Sequence, residues 1–273
     1  MFFRGFNFNM RILRTDNSTT KPNFKHYYNE VHSNGKLKYR NNTCFFRICL
    51  DWINFGKFIE QKYQNVPKVN IINHACSIGE EAYSLAIIIE KFCPNLAKKC
   101  YPIIAKDIDN QVIEKAKEGI VTFDFYEFQD VTNICDKNFS DFFNGKNIVF
   151  QWNELSQTND IITKIQPNLL SKIEFSQGNI LEDSKNLPKE NTILFCRNMW
   201  LYLDENEKET LAKNLSNALD DSSLVVIGNA DEGASSHLQR NGFYQVENLN
   251  NVFQKSKYNS IEQFYYAMRD LIK

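Results

Sequence analysis

Apolar residues along this chain fall into short runs that alternate with stretches where they recur every three or four positions. Residues 69–75 form the first such run. A turn of small residues follows, and then 80–91, rich in apolar residues and suited to a buried helix. Residues 101–105 are a second strand-like run ending in Lys106-Asp107-Ile108-Asp109, and 111–117 a second helix stopped by Gly119. The rhythm resumes with a strand over 172–176, the segment Asn179-Ile180-Leu181 and a strand over 192–196. A helix over 205–219, a strand over 223–228, a strand pair at 243–246 and 252–255, and a last helix over 261–272 complete it. Upstream, the spacing Phe46, Leu50, Ile53, Phe58 predicts a helix within 45–63, interrupted by Gly56. Such alternation implies an α/β fold, a mostly parallel doubly wound sheet with an antiparallel edge hairpin.

Two regions break the alternation. Residues 121–172 contain the dense Phe123-Asp124-Phe125-Tyr126-Glu127-Phe128, the hairpin signal Asn144-Gly145 and a strand-like 148–152. They read as a small inserted β-containing subdomain. Residues 1–40 are polar and aromatic without sustained periodicity, which predicts an arm with one short helix.

Composition changes little in this picture. With 273 residues, 42% hydrophobic and 24% charged, the chain can bury the core of one large α/β domain. Net charge is −1, but residues 1–40 carry eight Lys or Arg against Asp16 and Glu30, a net of +6. That arm is either a solvated basic segment or a docking surface for an acidic partner. Seven cysteines, an odd number without a C-x-x-C pair, suit a reducing cytoplasm and imply no metal site. No apolar run approaches the roughly 20 residues of a membrane span, and no secretory leader is seen. A cytoplasmic location is expected.

The candidate chemistry starts at Asn73-His74-Ala75-Cys76-Ser77-Ile78-Gly79-Glu80-Glu81. Strand, small-residue turn and helix form the entry to a nucleotide-type site, where free helix N–H groups face the ligand. The loop has no Lys or Arg, which argues for a cationic or hydroxyl-rich ligand over a phosphate. Ser77-Ile78-Gly79-Glu80 has the form of a capping box, so Glu80 is expected to cap the helix and Glu81 to face the ligand. Asp107, at the end of the second strand, is where doubly wound folds place an acid on ribose hydroxyls; Asp109 or Asn110 is the natural cap of the next helix.

Four segments in order resemble the CheR family of chemotaxis receptor methyltransferases. They are Asn41-Asn42-Thr43-Cys44-Phe45-Phe46-Arg47, Cys76-Ser77-Ile78-Gly79-Glu80-Glu81-Ala82-Tyr83-Ser84, Ala105-Lys106-Asp107-Ile108-Asp109 with Glu114-Lys115-Ala116, and Phe195-Cys196-Arg197-Asn198-Met199-Trp200-Leu201-Tyr202. Phe175-Ser176-Gln177-Gly178-Asn179-Ile180-Leu181 is a further, looser match, and the resemblance spans about residues 40–230. It implies a Rossmann-like class I methyltransferase that transfers a methyl group from S-adenosylmethionine to glutamate side chains of chemoreceptors. It also implies that Asn41, Thr43 and Arg47 reach over the cofactor, with Arg47 on its carboxylate. Glu81 and Asp107 would take the amino and ribose side, Asn179 and Ile180 the adenine, and Arg197 and Asn198 the methionine side. Tyr202 corresponds to the tyrosine near the transferred methyl, so Tyr202 and Arg47 are the expected catalytic residues.

The implied partner is a protein, the cytoplasmic helical region of chemoreceptors, met by a monomer. Nucleic acid is not expected, since the N/D-P-P-Y motif of amino methylases is absent. The domain reading is a basic arm at 1–40, a remnant of the receptor-recognition domain, and a methyltransferase domain at 41–273. Gly228-Asn229-Ala230-Asp231 stands where the family has G-H-S-E. A glutamate acceptor, with a pKa near ~4.3, is ionised at neutral pH and needs no general base. The alternatives are another protein or small carboxylate as acceptor, or a catalytically silent S-adenosylmethionine-binding regulatory module.

Overall fold

The computed structural model describes residues 11–12, 41, 43–48, 50–154 and 158–255. The basic arm, apart from Arg11–Ile12 (β1), and the helix expected over 261–272 lie outside the described residues.

The first helix, α1 (Trp52–Lys62), is shorter than its spacing implied. Phe46 sits at φ 43°, a left-handed backbone that breaks a helix, and Asp51 caps α1 by accepting the Asn54 N–H at 3.0 Å. β2 (Asn70–His74) and α2 (Glu80–Phe92) follow as expected, with every α2 residue from Glu80 to Ile89 buried. β3 (Ile103–Asp107) and α3 (Asn110–Glu118) repeat the unit.

The chain then builds a second sheet from β4 (Ile120–Phe123), β5 (Val149–Asn153) and β6 (Thr158–Lys164), with α4 (Phe125–Cys135) and α5 (Phe139–Phe142) inside the excursion. β6 pairs antiparallel with both β4 and β5, and β1 adds in parallel to β5. The Asn144-Gly145 signal does not make a hairpin. Gly145–Asn147 is a 3-10 turn leading into β5, and the β5–β6 turn falls after Asn153, which pairs with Thr158. Helix α4 was illegible behind its aromatics, although Asp124 caps it through the Glu127 N–H at 2.8 Å.

After α6 (Pro167–Leu170) the main sheet resumes with β7 (Ile173–Gln177), α7 (Ile180–Asp183), β8 (Thr192–Phe195), α8 (Glu205–Ala218), β9 (Leu224–Val226), α9 (Ala234–Arg240), β10 (Phe243–Gln245) and β11 (Val252–Lys255). The strand order is β10-β11-β9-β8-β2-β3-β7. β7, β3, β2, β8 and β9 are parallel, and β11 runs antiparallel between β9 and β10. The chain thus steps outward from β2 to β7, then restarts beside β2 at β8. The switch point between β2 and β8 opens a crevice at the carboxyl ends of the strands.

Alternate strand positions feed opposite faces. Ile71, Ile193, Phe195 and Val226 pack with α1 and α2, whereas Ile72, Leu194 and Val225 pack with Leu211 and Leu215 of α8 and Leu238 of α9. Phe195 lies against Trp52 and Phe55 with ring centroids 6.1 and 5.5 Å away. Among the described residues no helix is long and apolar enough to cross a membrane. Phe195→Ala should cost about 3–5 kcal/mol in urea unfolding. A loss below about 1 kcal/mol would show that this face is not close-packed.

Candidate active site

β2 ends in two buried polar residues, Asn73 and His74, and the chain then bends sharply. Ala75 and Ser77 adopt φ of 58° and 51°, and Gly79 adopts 95°. Gly79 is the N-cap of α2, where only glycine is free of strain, and a Cβ there would meet Tyr83 at 3.0 Å and Phe175 at 3.1 Å. The expected capping box does not form. The helix starts at Glu80 itself, and the Ser77 hydroxyl turns away to donate to the Asn41 carbonyl at 3.1 Å. The same D-x-x-E logic is realised elsewhere, at Asp204 and Glu207 of α8.

Asp107 fastens three strand ends together. Its carboxylate accepts the Ser77 N–H at 2.8 Å and the Asp109 N–H at 3.0 Å, and its carbonyl accepts the Gly178 N–H at 2.9 Å. Asp109 takes the capping role, accepting the Gln111 N–H at 2.8 Å, and its other oxygen accepts from Asn41 Nδ2 at 2.9 Å. Asn179 caps α7 through the Leu181 N–H at 3.0 Å.

Arg197, just beyond β8, has only 1% of its side chain exposed. Its Nη1 donates to Glu81 Oε2 at 2.7 Å, and Asn73 Nδ2 donates to Glu81 Oε1 at 2.8 Å. Arg197 Nη2 donates to the carbonyls of Arg47 and Ile48 at 3.4 and 3.3 Å, and the guanidinium lies 5.6 Å from the Trp52 ring. Trp52 Nε1 also donates to the Arg47 carbonyl, at 3.1 Å. The segment carrying Arg47 is therefore pinned over the strand ends.

Asn198 adopts φ 54°, and Asp231 holds the turn it starts. The Asp231 carboxylate accepts the N–H groups of Asn198, Trp200 and Gly228 at 2.6, 2.9 and 2.6 Å. Burial nonetheless pushes its carboxyl up to about 6. A Cβ on Gly228 would overlap the Asn198 side chain and lie 2.7 Å from its backbone nitrogen, so this close approach requires glycine. The G-N-A-D segment thus supplies a structural anchor for the loop bearing Asn198 and Tyr202.

These turns enclose a cavity with about 1050 Å³ of empty space, the solvent at its mouth included. All ten residues singled out from the sequence line it: Asn41, Thr43, Arg47, Glu81, Asp107, Asn179, Ile180, Arg197, Asn198 and Tyr202. Sequence reasoning missed His74, Met199, Leu203 and Glu207 on the lining, and Asn73, Trp52 and Asp231 behind it. One signal was available, because Asn73 and His74 are polar residues closing an otherwise apolar parallel strand.

Burial sets the charge states around the cavity. His74 is held down to about 4, chiefly by burial and further by Lys106, with Asp183 opposing 3.3 Å away. Glu80 is pushed up to about 8 by burial and then by the nearby Glu127, with Arg47 opposing. Glu127 is pushed up to about 7, again first by burial.

Residues 41–248 match the CheR methyltransferase SAM-binding domain. The chain belongs to the CheR family. It is 28% identical over 223 residues to a chemotaxis protein methyltransferase of Campylobacter jejuni, covering 78% of this chain and 75% of that protein. The chemotaxis protein methyltransferase of Escherichia coli is 23% identical over 239 residues, 84% of this chain and 77% of that one. That of Salmonella typhimurium is 25% identical over 191 residues, 70% of this chain and 60% of that one. Among solved structures the chain is similar to a TehB-like SAM-dependent methyltransferase from Corynebacterium glutamicum, with 13% identity over 74% of this chain and 88% of that one and a TM-score of 0.39. That likeness is too distant to add to the topology. The chain is thus an S-adenosylmethionine-dependent methyltransferase built on a Rossmann-like, mostly parallel sheet.

Glu80 gives a direct check of the electrostatics. Its folded pKa lies above the ordinary value, so its contribution to stability is complete below about pH 4.5 and is lost as pH rises through about 8. Glu80→Gln mimics the neutral acid. Relative to wild type it should gain on the order of 2–4 kcal/mol between pH 5 and pH 9 in denaturant unfolding. Parallel stability curves would contradict the raised value.

Proposed function

We propose that this methyltransferase forms methyl esters on glutamate side chains in the cytoplasmic helical region of chemotaxis receptors. The observation that carries the reading is the coincidence of the matched S-adenosylmethionine-binding domain with one cavity lined by all ten motif residues.

The donor set fits the cofactor. Arg47 and Arg197 are the arginines of the lining, and Arg197 keeps Nε buried without a hydrogen-bond partner among the described residues. Glu81 and Asp107 bring carboxylates to the same cavity, suited to an ammonium and to ribose hydroxyls. Each carboxylate offers about four lone-pair positions, so Glu81 can accept from a ligand while holding Asn73 and Arg197.

In this reading Arg47 holds the cofactor carboxylate, Asn41 and Thr43 lie over it, and Arg197 and Asn198 close the methionine side. Asn179 and Ile180 flank the adenine. When bound, the cofactor supplies an electrophilic methyl group on a sulfonium. The chain's task is to bring an already ionised glutamate oxygen in line with that methyl and to exclude water around it. Tyr202, on the cavity lining in the 3-10 turn Trp200–Tyr202, positions the acceptor, and an already ionised carboxylate needs no base.

We place the reaction in the cytoplasm and read the enzyme as a monomer. Residues 41–273 are proposed as one methyltransferase domain with the 121–172 region inserted, since the chain leaves the main sheet after β3 and rejoins it at β7.

The test is labelled methyl transfer from S-adenosylmethionine to receptor cytoplasmic fragments, read as base-labile ester. Wild type should label them, and Tyr202→Phe should slow labelling. Arg47→Ala should weaken S-adenosylhomocysteine binding by on the order of 10²-fold, the worth of a charge-assisted bidentate contact. Binding without base-labile label on any receptor fragment would leave the cofactor site standing and sink the receptor reading. Unchanged binding in Arg47→Ala would sink the carboxylate assignment.

A further inference from the structure

The segment that carries Arg47 over the cavity is fastened to the second sheet as well as to the main one. Glu127, on α4, accepts the Phe45 N–H at 2.5 Å across 82 residues of sequence. The Phe45 ring packs in the same direction, 5.1 Å from Phe123 and 5.6 Å from Phe143. The next residue is tied to α2, the Phe46 N–H donating to Ser84 Oγ at 2.9 Å. The residues after that are tied to Arg197. Glu127 is therefore the polar link by which the second sheet grips this strap.

The groups facing Glu127 form a small charge balance. Its own helix contributes Asp124 and Asp130, and the strap contributes Arg47. Across the gap lies Glu80 of α2, and Cys44 of the strap feels Arg47, Glu127 and Glu80 together. Arg47 thus acts on the buried Glu80 and the half-buried Glu127, both of which it draws toward ionisation. The same guanidinium is the one assigned above to the cofactor carboxylate.

We infer that Glu127 is a positioning residue for cofactor binding, holding the Arg47 strap and sharing the Arg47 charge with the incoming carboxylate, so that binding takes up a proton from solvent. This rests on the assignment of Arg47 to the cofactor carboxylate. Three carboxylates around one guanidinium repel one another, and Glu80 and Glu127 hold protons most readily. As the ligand carboxylate arrives, one of them protonates. The proton is drawn from bulk water, and no covalent bond of the ligand changes. Linkage fixes the sign, since a proton taken up on binding makes affinity fall as pH rises through about 7 to 8.

The test is calorimetric titration of the full chain at several pH values, each in two buffers of different ionisation enthalpy. The probes are S-adenosylhomocysteine and 5′-methylthioadenosine, which lacks the carboxylate. Wild type should take up protons with the first probe and not with the second, and its affinity for the first should fall about tenfold from pH 6 to 8.5. Glu127→Gln keeps an acceptor for the Phe45 N–H and removes the titrating charge, so it should reduce the uptake and flatten the profile. A merely structural role would leave both unchanged. Absence of uptake in wild type overturns the inference without recourse to any variant, as does equal uptake in wild type and Glu127→Gln. If Arg47→Ala binds S-adenosylhomocysteine as tightly as wild type, the Arg47 assignment itself is wrong. If Arg47→Ala is weakened while Glu127→Gln matches wild type, only the role of Glu127 fails.

Discussion

One buried ion pair, Arg197 with Glu81, carries the geometry of this site. Its 2.7 Å contact joins the end of β8 to the first turn of α2, across the switch point where the crevice opens. The same guanidinium reaches the carbonyls at 47 and 48 and lies against Trp52, while Asn73 secures the other carboxylate oxygen. Desolvating both charges is costly, and such pairs seldom add net stability over an apolar replacement. What the pair provides is position. Strand, helix and strap cannot shift separately without leaving a charge buried and unpaired, a loss of about 3–5 kcal/mol.

The rest of the site follows from holding turns that backbone preference disfavours. Phe46, Ala75, Ser77 and Asn198 all occupy left-handed backbone beside the cavity. Non-glycine residues in such regions cost on the order of 1 kcal/mol or more each and persist only where surroundings over-determine them. Here the determinants are carboxylates: Asp107 on the Ser77 N–H, Asp231 on the Asn198 N–H, and Glu127 one residue before Phe46. These acids hold the loops that surround the cavity mouth. Glu80 and Asp231 hold protons more readily than ordinary acids because burial outweighs what opposes it, the Arg47 charge at Glu80 and three backbone N–H groups at Asp231.

The sheet was legible because each parallel strand is a short apolar run bounded by polar turns, and its alternation feeds two faces. The cavity was legible because charged residues stand where apolar strands end, as Asp107 and Arg197 do, or open the following helix, as Glu81 does. What could not be read depends on contacts distant in sequence. Ser77-x-x-Glu80 has the letters of a capping box, yet Ser77 binds the Asn41 carbonyl and Gly79 is the N-cap of α2. Glu127 stands three residues after Asp124 and looks like a local cap partner, while its side chain leaves for Phe45. Asp231 looked like a departure from a family motif and is the acceptor for three backbone N–H groups. For Ser77 and Glu127 the side chain takes a tertiary partner in place of the local one its spacing suggested.

The Arg197–Glu81 pair builds the cavity by position and not by net stability. The most direct measurement compares Arg197→Gln, Glu81→Gln and the double variant in urea unfolding and in titration with S-adenosylhomocysteine. Each single variant should lose about 3–5 kcal/mol, and the double variant should recover much of that loss because no buried charge is left unpaired. Binding should be weakened in all three and should not recover in the double variant. A double variant that binds S-adenosylhomocysteine as wild type does, or single variants as stable as wild type, would contradict the account.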